Sequence, residues 1–481
     1  MIINYEYVQV ELPYEILHIK DLHLISEVNE HHILSLEALI DEENAEKYLE
    51  ESVEGKEIKL LIDEKVIYVG KIIKLEIYYK GQVAHLKLKT ISYSYDLDIK
   101  KHNQAFFNLQ STYEDVIKKV LSKYSNTDFK DNITYGKCIK DMLVQYDETD
   151  FEFIKRLATH FETVLIVDPV TNKSRFHFGI EPINNEAELK SEIKEAKTRL
   201  DNFTKIKCVS KEDVIEQDFI GWQVESKKYF SLGSELTYDG QKIIVVKVEM
   251  KQIKDEIIFI YEFKLLKGIK TIYKINPNLK GISLEGIVKN RRNNEMQLHF
   301  CINDSYEDED SNKWFYYGRE VSNFYCMPVL ESKVRVTFLS GDEKDTIVTN
   351  AVRIAKIGDK YYSKISEHNN KSYSTVDGQE LLITPEMLQI SEDDGKRIQM
   401  MLNKNGTISI TGKNISLSSG GNIEIGTDAP FDPKKNPMKP ASITISAKNK
   451  VTITKSSKGV NTAHSMQLAE ENHLRGIVKM L

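Results

Sequence analysis

The feature of this sequence that most constrains its fold is a repeat near the carboxyl-terminal end. Pairs of apolar residues, with one polar residue between them, recur at offsets of seven, eight, twenty and eight residues. Each pair presents only two side chains to one face of a short strand, and burying one such side chain contributes about 1.5–3 kcal/mol. One strand therefore cannot form a core alone. The predicted core residues are Ile408, Ile410, Ile415, Leu417, Ile423, Ile425, Ile443, Ile445, Val451 and Ile453.

Two arrangements would bury this repeat: stacked turns of one chain, or strands from several copies wound around a common axis. Offsets near eight residues are shorter than the coils of most solenoids, which favours an intertwined prism. The offset of twenty contains the loop 428–440, which holds four of the ten prolines and cannot lie inside a sheet. Because the repeat has no core to enter in a single chain, we predict that several copies of the chain assemble around it.

The rest of the chain is long enough for several domains. A chain of 481 residues and 55.5 kDa exceeds what one hydrophobic core usually organises, which predicts three or four domains. Short apolar runs punctuated by glycines predict strands from residue 5 to about residue 90, and β patterning resumes between residues 205 and 276. Five short strand candidates between residues 281 and 353 fit a small closed barrel of the OB type.

Two helices are predicted between these β regions. Ser111-Thr112-Tyr113-Glu114 fits a capping box and precedes an apolar face formed by Val116, Ile117, Val120 and Leu121. Apolar residues recur at helical spacing over residues 150–161, and a strand is predicted directly afterwards at 164–167. The Glu/Lys-rich stretch 186–202 has few apolar residues and predicts a solvated helix or lid.

Charge and cysteine content exclude several classes of protein. The 66 basic and 73 acidic residues are spread along the chain, giving a net charge of -7 without a long Lys/Arg block, so nucleic acid is not an expected partner. The four cysteines form no C-x-x-C pair and are predicted to be reduced thiols. No signal peptide and no run of about 18 apolar residues is found, which predicts cytoplasmic synthesis and no membrane-spanning helix.

Two stretches of the sequence are similar to one known family. Residues 143–158 resemble the run Q-Y-x-E-T-D-[FW]-x-F-[IL]-x-R-L of the VgrG-type spike proteins of contractile injection systems, which are related to phage late control protein D and to the hub and spike of phage baseplates. A second stretch resembles the OB-fold segment of these spikes. It consists of Cys326-Met327-Pro328, Val334-Arg335-Val336, Gly341-Asp342-Glu343-Lys344-Asp345 and Ala351-Val352-Arg353.

The resemblance implies a mainly β chain with a few helices and a homotrimer at the tip of an injection tube. It also implies the partners: a hexameric tube protein, baseplate proteins, a PAAR-type tip protein or effector, and transiently a target membrane. The particle would be assembled in the cytoplasm and then delivered extracellularly or into a target cell. The implied domains are a first hub β-barrel (1–100), a helical connecting segment (101–162), a second hub β-barrel (163–280), an OB-fold domain (281–355), a connector (356–395), a triple-stranded β-helix (396–455) and a tail (456–481).

No catalytic residue, metal ligand or cofactor is predicted. Three groups of residues nevertheless contain side chains of the kind found in catalytic or metal sites. The carboxylates Asp147, Glu148 and Asp150 suggest a glycosidase pair, but the adjacent apolar residues favour helix capping by Thr149 or Asp150. His31-His32 lacks metal-site spacing and is interpreted as a surface turn. Cys326 and His299 lack an orienting carboxylate, so packing is the preferred interpretation.

Two other functions remain as alternatives to a hub and spike. A tail-associated cell-wall hydrolase would need a further domain, and neither the connector nor the tail has the 50 residues that domains usually require. A trimeric receptor-binding fibre would explain the repeat but not the amino-terminal β domains. In the tail, residues 474–481 carry apolar side chains on one face of a short predicted helix, which would fray, fold back on the spike or dock onto a partner.

Overall fold

The computed structural model of this chain is mainly β, as the sequence predicts, and it divides into two compact units, residues 1–354 and 355–481. The two units are described separately. The residues that the structure describes are 2–5, 8–181, 183–188, 193–198, 200–210, 212–253, 256–300, 302, 313–318, 325–350, 367–375, 377–392, 397–421, 451–455 and 464–468.

The first unit begins with a group of strands and one helix. Alternating burial along the strands, such as buried Leu34, Leu36 and Ala38 beside half-buried neighbours, turns one face of each strand towards a shared core. These elements are β1 (Ile2–Tyr5), β2 (Val8–Glu11), β3 (His18–Glu27), β4 (Ile33–Ile40), α1 (Glu42–Glu50), β5 (Glu57–Ile62), β6 (Lys65–Lys80) and β7 (Val83–Ser92).

A helical segment follows, with both helices where the sequence predicts them. Helix α2 is capped by Thr112 with Asp115, one residue later than the predicted box, and its predicted apolar face is buried. Helix α3 is capped by Thr149, whose hydroxyl accepts a hydrogen bond from the Glu152 amide. The elements are β8 (Lys101–Phe106), α2 (Tyr113–Leu121), β9 (Thr127–Asp131), β10 (Leu143–Thr149), α3 (Asp150–Ala158), β11 (Leu165–Asp168) and β12 (Ser174–Phe178).

A second group of strands differs from the prediction at its start. The stretch 186–202, predicted as a helix or lid, instead forms two strands, and the helix begins only at Leu200. Backbone pairing with a neighbouring strand has overridden the helix propensity of Glu and Lys at this edge of the sheet. The elements are β13 (Ile183–Glu188), β14 (Ile193–Thr198), α4 (Leu200–Val209), β15 (Ile220–Ser226), β16 (Ser234–Tyr238), β17 (Gln241–Ile253) and β18 (Glu256–Lys264).

The two groups of strands form one 13-stranded sheet. Its order is β1-β2-β5-β6-β7-β4-β3-β17-β18-β15-β14, with β16 also paired to β17, and β13 paired to β16. The antiparallel pairing of β3 with β17 joins the two groups, so the apolar residues of both contribute to one continuous core. The strands were predicted as two separate β regions, and this connection between them was not foreseen.

A smaller sheet completes the first unit. Its five strands follow the order β21-β20-β19-β22-β23, and a backbone bridge between Tyr317 and Val348 brings its two edges together. The amide of Gly318 donates to the Val348 carbonyl at 2.7 Å, which continues this contact. The strands are β19 (Ser283–Arg292), β20 (Glu295–Phe300), β21 (Phe315–Tyr316), β22 (Lys333–Phe338) and β23 (Thr346–Asn350).

The second unit contains an antiparallel sheet in which each strand pairs with the next along the chain. Three of its strands lie within residues 356–395, the predicted connector. A two-stranded hairpin lies further on, and its second strand falls in the predicted tail. The strands are β24 (Lys371–Ser374), β25 (Gln379–Ile383), β26 (Met387–Glu392), β27 (Ile398–Asn403), β28 (Ile408–Thr411), β29 (Val451–Lys455) and β30 (His464–Leu468).

Candidate functional site

One face of the five-stranded sheet in the second unit carries an apolar row that the described part of the chain leaves uncovered. Tyr373, Leu381, Ile390, Met400 and Ile410 lie opposite one another on the five successive strands. All five point to the same face, and each remains between 37% and 52% exposed. We call these five residues and their neighbours in the next row, Ile383, Leu388, Leu402 and Ile408, the apolar face.

The opposite face of the same sheet is mostly polar, although Leu382 and Met401 also lie on it. Glu380, Gln389 and Ser391 lie on it, and these three are buried while the apolar residues are exposed. The Gln389 amide donates to the Ser391 hydroxyl at 2.9 Å, which satisfies part of this polar face. In this sheet the apolar face is exposed and polar side chains on the other face are buried. A stable globular domain usually shows the reverse, with its apolar face covered and its polar face in contact with solvent.

The predicted trimer-core residues have several different positions. Ile408 and Ile410 lie on the apolar face, and Ile415 and Leu417 lie beyond the last strand of this sheet, where both are more than half exposed. Four others lie outside the described residues: Ile423, Ile425, Ile443 and Ile445. Val451 and Ile453 belong to β29, where their backbones pair with Leu468 and Met466 of β30.

Sequence reasoning missed the part of the apolar face that precedes residue 408. Leu381, Ile383, Ile390 and Met400 alternate with polar residues at period two, the same signal that identified Ile408 and Ile410. These residues lie outside the short apolar pairs spaced about eight residues apart, which are the repeat from which the core residues were predicted.

A second candidate site is a buried charge cluster in the first unit, which brings the two family-like stretches into contact. The Arg156 guanidinium, on α3, donates to both carboxylate oxygens of Glu148, from Nε at 2.8 Å and from Nη2 at 2.9 Å. It also donates from Nη1 to Glu343 Oε1 at 2.7 Å and from Nη2 to the Val144 carbonyl at 2.8 Å. All three charged side chains are almost fully buried.

The two carboxylates keep the buried guanidinium of Arg156 positively charged. Burial alone would lower the pKa of Arg156, but the negative charge of Glu343 and the hydrogen bonds to Glu148 raise it above its ordinary value. Glu148 and Arg156 belong to residues 143–158, and Glu343 lies in the smaller sheet's last loop, 187 positions from Arg156. The guanidinium therefore fixes the helical segment to the smaller barrel-like sheet.

The other carboxylates of the same stretch are also engaged by neighbouring side chains. Asp150 is fully buried and accepts from Tyr124 Oη at 2.6 Å, from Gln145 Nε2 at 2.8 Å and from Lys123 Nζ at 3.4 Å. Asp147 is exposed and forms an ion pair with Lys101 at 3.1 Å. The capping interpretation of this stretch is confirmed, with Thr149 as the capping residue.

The prediction that His31 and His32 lie in a surface turn is only partly correct. His31 hydrogen-bonds to Ser94 Oγ at 2.7 Å and Asp98 Oδ2 at 3.2 Å, whereas His32 is buried, so the surface-turn interpretation is wrong for His32. Within the described ranges, no group of three or more His, Cys, Asp or Glu side chains is arranged to hold a metal ion. His299 lies in β20, and Cys326 is half-buried, lies outside the strands and forms no disulfide with another described cysteine.

Acid should destabilise the first unit through His32. Burial, with a smaller contribution from His31, lowers the pKa of His32 from 6.5 to about 3. Because the folded pKa is the lower one, this contribution to stability is complete above pH 6.5 and is lost as the pH falls towards 3. We expect a loss of about 2–3 kcal/mol in unfolding free energy from this group between pH 7 and pH 4.5, measured by urea unfolding.

The variant His32→Leu should show a correspondingly smaller loss over the same pH interval. His368→Leu provides the control for replacing an imidazole with an apolar side chain, because the His368 side chain is 87% exposed and its replacement should leave the unfolding free energy at pH 7 nearly unchanged. An unaltered pH dependence in His32→Leu would contradict this account.

No protein-family model matches this sequence, and no curated protein matches it. Solved structures do match its fold. A protein of E. coli, described as a component of the type VI secretion system with structural similarity to the T4 bacteriophage tail proteins gp27 and gp5, has a TM-score of 0.51 at 10% identity. That match covers 70% of this chain and 98% of the other.

A chain from the lidded form of the Francisella PdpA-VgrG complex matches with a TM-score of 0.53 at 9% identity, over 82% of this chain and 76% of the other. The lidless form gives a TM-score of 0.51 at 9% identity, over 82% and 93%. The chain therefore shares its fold with these type VI secretion and VgrG structures. At identities of 10% or less, the likeness extends no further than the fold.

None of the helices in the described part of the chain is long and apolar enough to cross a membrane.

Proposed function

We propose that this protein is the hub and spike of a contractile injection device, assembled as a homotrimer. The observation that carries the proposal is the uncovered apolar face of the second unit, because a sheet with an exposed apolar row and a polar opposite face needs further copies to bury it. Three copies around one axis would turn these rows inwards, together with the predicted core residues further along the chain.

The hub role rests on the first unit. Its two groups of strands in one chain would present six similar groups in a trimer, which suits a hexameric ring of tube protein. The hub-type fold supports this assignment. The smaller sheet lies within residues 281–355, for which we propose an OB-fold domain, and its contact with Arg156 of the helical segment supports a firm connection to the hub.

We assign the protein a structural rather than an enzymatic role. The carboxylates that suggested a glycosidase are held by Arg156, Tyr124, Gln145 and Lys101 within the fold. A tip protein of the PAAR type, or an effector, would cover the end of the spike, and residues 456–481 would contribute to that junction. One of the similar structures is a PdpA-VgrG complex, which supports association with a further protein. We expect assembly in the cytoplasm and delivery within an injection particle that pierces a target membrane.

A receptor-binding fibre is the second candidate, favoured by the same apolar face but not by the hub-type first unit. Light scattering of the purified chain at micromolar concentration should give the mass of three copies, about three times 55.5 kDa. Electron micrographs should show a ring at one end and a narrow rod at the other. A stable monomer would contradict the spike, and a trimer that does not bind rings of tube protein would favour the fibre.

A further inference from the structure

The large sheet of the first unit contains the same strand order twice. The first group runs β2-β5-β6-β7-β4-β3, and the second runs β13-β16-β17-β18-β15-β14. Each strand of the first group thus has an equivalent eleven strands later. The groups differ in one pairing, since β2 and β5 are antiparallel whereas β13 and β16 are parallel.

The equivalence extends to single residues. The hairpins β6–β7 and β17–β18 share one register, in which residue numbers differ by 173 throughout: Lys71 pairs with Ile91 as Ile244 pairs with Lys264. Each hairpin has a bulge at the equivalent place, after Ile72 in β6 and after Val245 in β17, and two residues separate the strands of each hairpin in the sequence. Chance agreement in order, register and bulge position is not expected of unrelated hairpins, so the two groups are structural copies of each other.

The copies are joined in the chain by a defined contact. β3 of the first group pairs with the middle of β17 in the second group, from Glu27 opposite Lys247 to His23 opposite Lys251. Glu27 and Lys247 form an ion pair at 3.3 Å. Between these ends, Leu24 lies opposite Met250, and both are buried.

The strands equivalent to this contact lack a partner among the described residues. β14, the equivalent of β3, is the last strand of the sheet and pairs only with β15. β6, the equivalent of β17, pairs with β7 over residues 70–80, but its other edge is paired only as far as Ile72. Ile73 and Tyr79 there are about half exposed, whereas the equivalent part of β17 is covered by β3.

We propose that β14 of one copy of this chain pairs with β6 of the next copy, repeating between chains the contact that β3 and β17 make within one. This inference rests on the trimer of the proposed function and supplies its hub interface. It is a head-to-tail contact, so repeating it closes a ring when three copies, and hence six groups of strands, complete one turn. Both unpaired strand edges are thereby satisfied.

The equivalences also fix the register of this contact. Lys197 lies opposite Gly221, and Ile25 lies opposite Ile33. Gly221 and Ile33 occupy equivalent positions on their strands, so Lys197 is the equivalent of Ile25. Ile25 lies opposite Glu249, whose equivalent is Glu76. Lys197 of one copy therefore lies opposite Glu76 of the next, which places opposite charges together.

The neighbouring pair in this register is apolar. Ala196 of one copy lies opposite Ile77 of the next, in the position that buried Leu24 and Met250 occupy within the chain. Ala196 is exposed and Ile77 is half-buried in the single chain. Docking of β14 would therefore cover apolar surface as well as pair charges.

Cysteine cross-linking of the full chain tests this register. Residues directly opposite on paired strands lie close enough for a disulfide. The double variant Lys197→Cys/Glu76→Cys should therefore give covalently linked dimers and trimers on a non-reducing gel after mild oxidation, and these should disappear on reduction. Both replaced residues are exposed in the single chain, so the variant should fold normally.

A register control uses Lys197→Cys/Lys80→Cys, because Lys80 lies four residues further along β6, about 13 Å away. This variant and each single variant should give no trimer band, which also controls for the native thiols. If light scattering shows a trimer but Lys197→Cys/Glu76→Cys gives no cross-linked trimer, this interface is wrong while the proposed trimer stands. A wild-type chain that is monomeric would overturn both.

Discussion

Replacement of Ile410 by Asp should abolish the trimer at micromolar concentration. Ile410 lies at the edge of the apolar row, and in the trimer three copies of this residue would converge on a dry axis. Burying an ionised carboxylate without a partner costs several kcal/mol, and three carboxylates would also repel one another. We expect light scattering to report one chain in place of three. Because Ile410 is already half exposed in the single chain, the monomer should keep its fold.

The adjacent residue provides a matched control. Ser409 lies on the same strand with its side chain on the opposite, polar face. Ser409→Asp therefore introduces the same charge one position away and should leave the trimer intact. If both variants lose the trimer, or both keep it, the face on which the charge lies has no influence, and the trimer with the apolar face at its axis is contradicted. An Ile410→Asp protein that remains a trimer with unchanged thermal stability would also contradict it.

Replacement of Arg156 by Met should lower the unfolding free energy of the first unit by about 3–5 kcal/mol, because Glu148 and Glu343 would be left buried without their cation. Urea unfolding at pH 7 measures the change. Arg175→Met is the matched control: Arg175 pairs with Asp128 at 3.1 Å on the surface, and loss of such a pair should cost about 0–1 kcal/mol.

A rescue experiment separates charge from packing at Arg156. The triple variant Arg156→Met/Glu148→Gln/Glu343→Gln removes the uncompensated charges and should recover a large part of the lost stability. If the single variant loses less than about 1 kcal/mol, the cluster does not contribute as its geometry indicates. If the triple variant is as unstable as the single one, the loss arises from packing around the guanidinium rather than from buried charge.

Local sequence signals predicted local structure well. Helix α3 and its cap were found because Thr149, Glu152 and the apolar spacing are all within one short segment. Contacts distant in sequence carry no such signal. Neither the pairing of β3 with β17 nor the contact of Arg156 with Glu343 is encoded in any one segment, since each depends on how the strands are ordered in space.

Edge strands were the other source of error. Residues 186–202 have the composition of a solvated helix, yet residues 193–198 pair with β15, because a polar, charged strand is also what the edge of a sheet favours. Periodicity within residues 379–403 was present but unused. The apolar face was therefore predictable in full from alternation alone, whereas the duplicated strand order was not, since residues at equivalent positions, such as Lys71 and Ile244, are chemically different.

The two duplicated groups of strands differ in the segment that connects one pair of equivalent strands. A five-residue connection links β3 to β4, whereas α4 lies between the equivalent strands β14 and β15. In a closed ring, a protein that contacts only the shared strands would find six binding positions, but one that contacts α4 would find three. The stoichiometry of a co-purified protein, six or three per particle, therefore identifies the surface to which it binds.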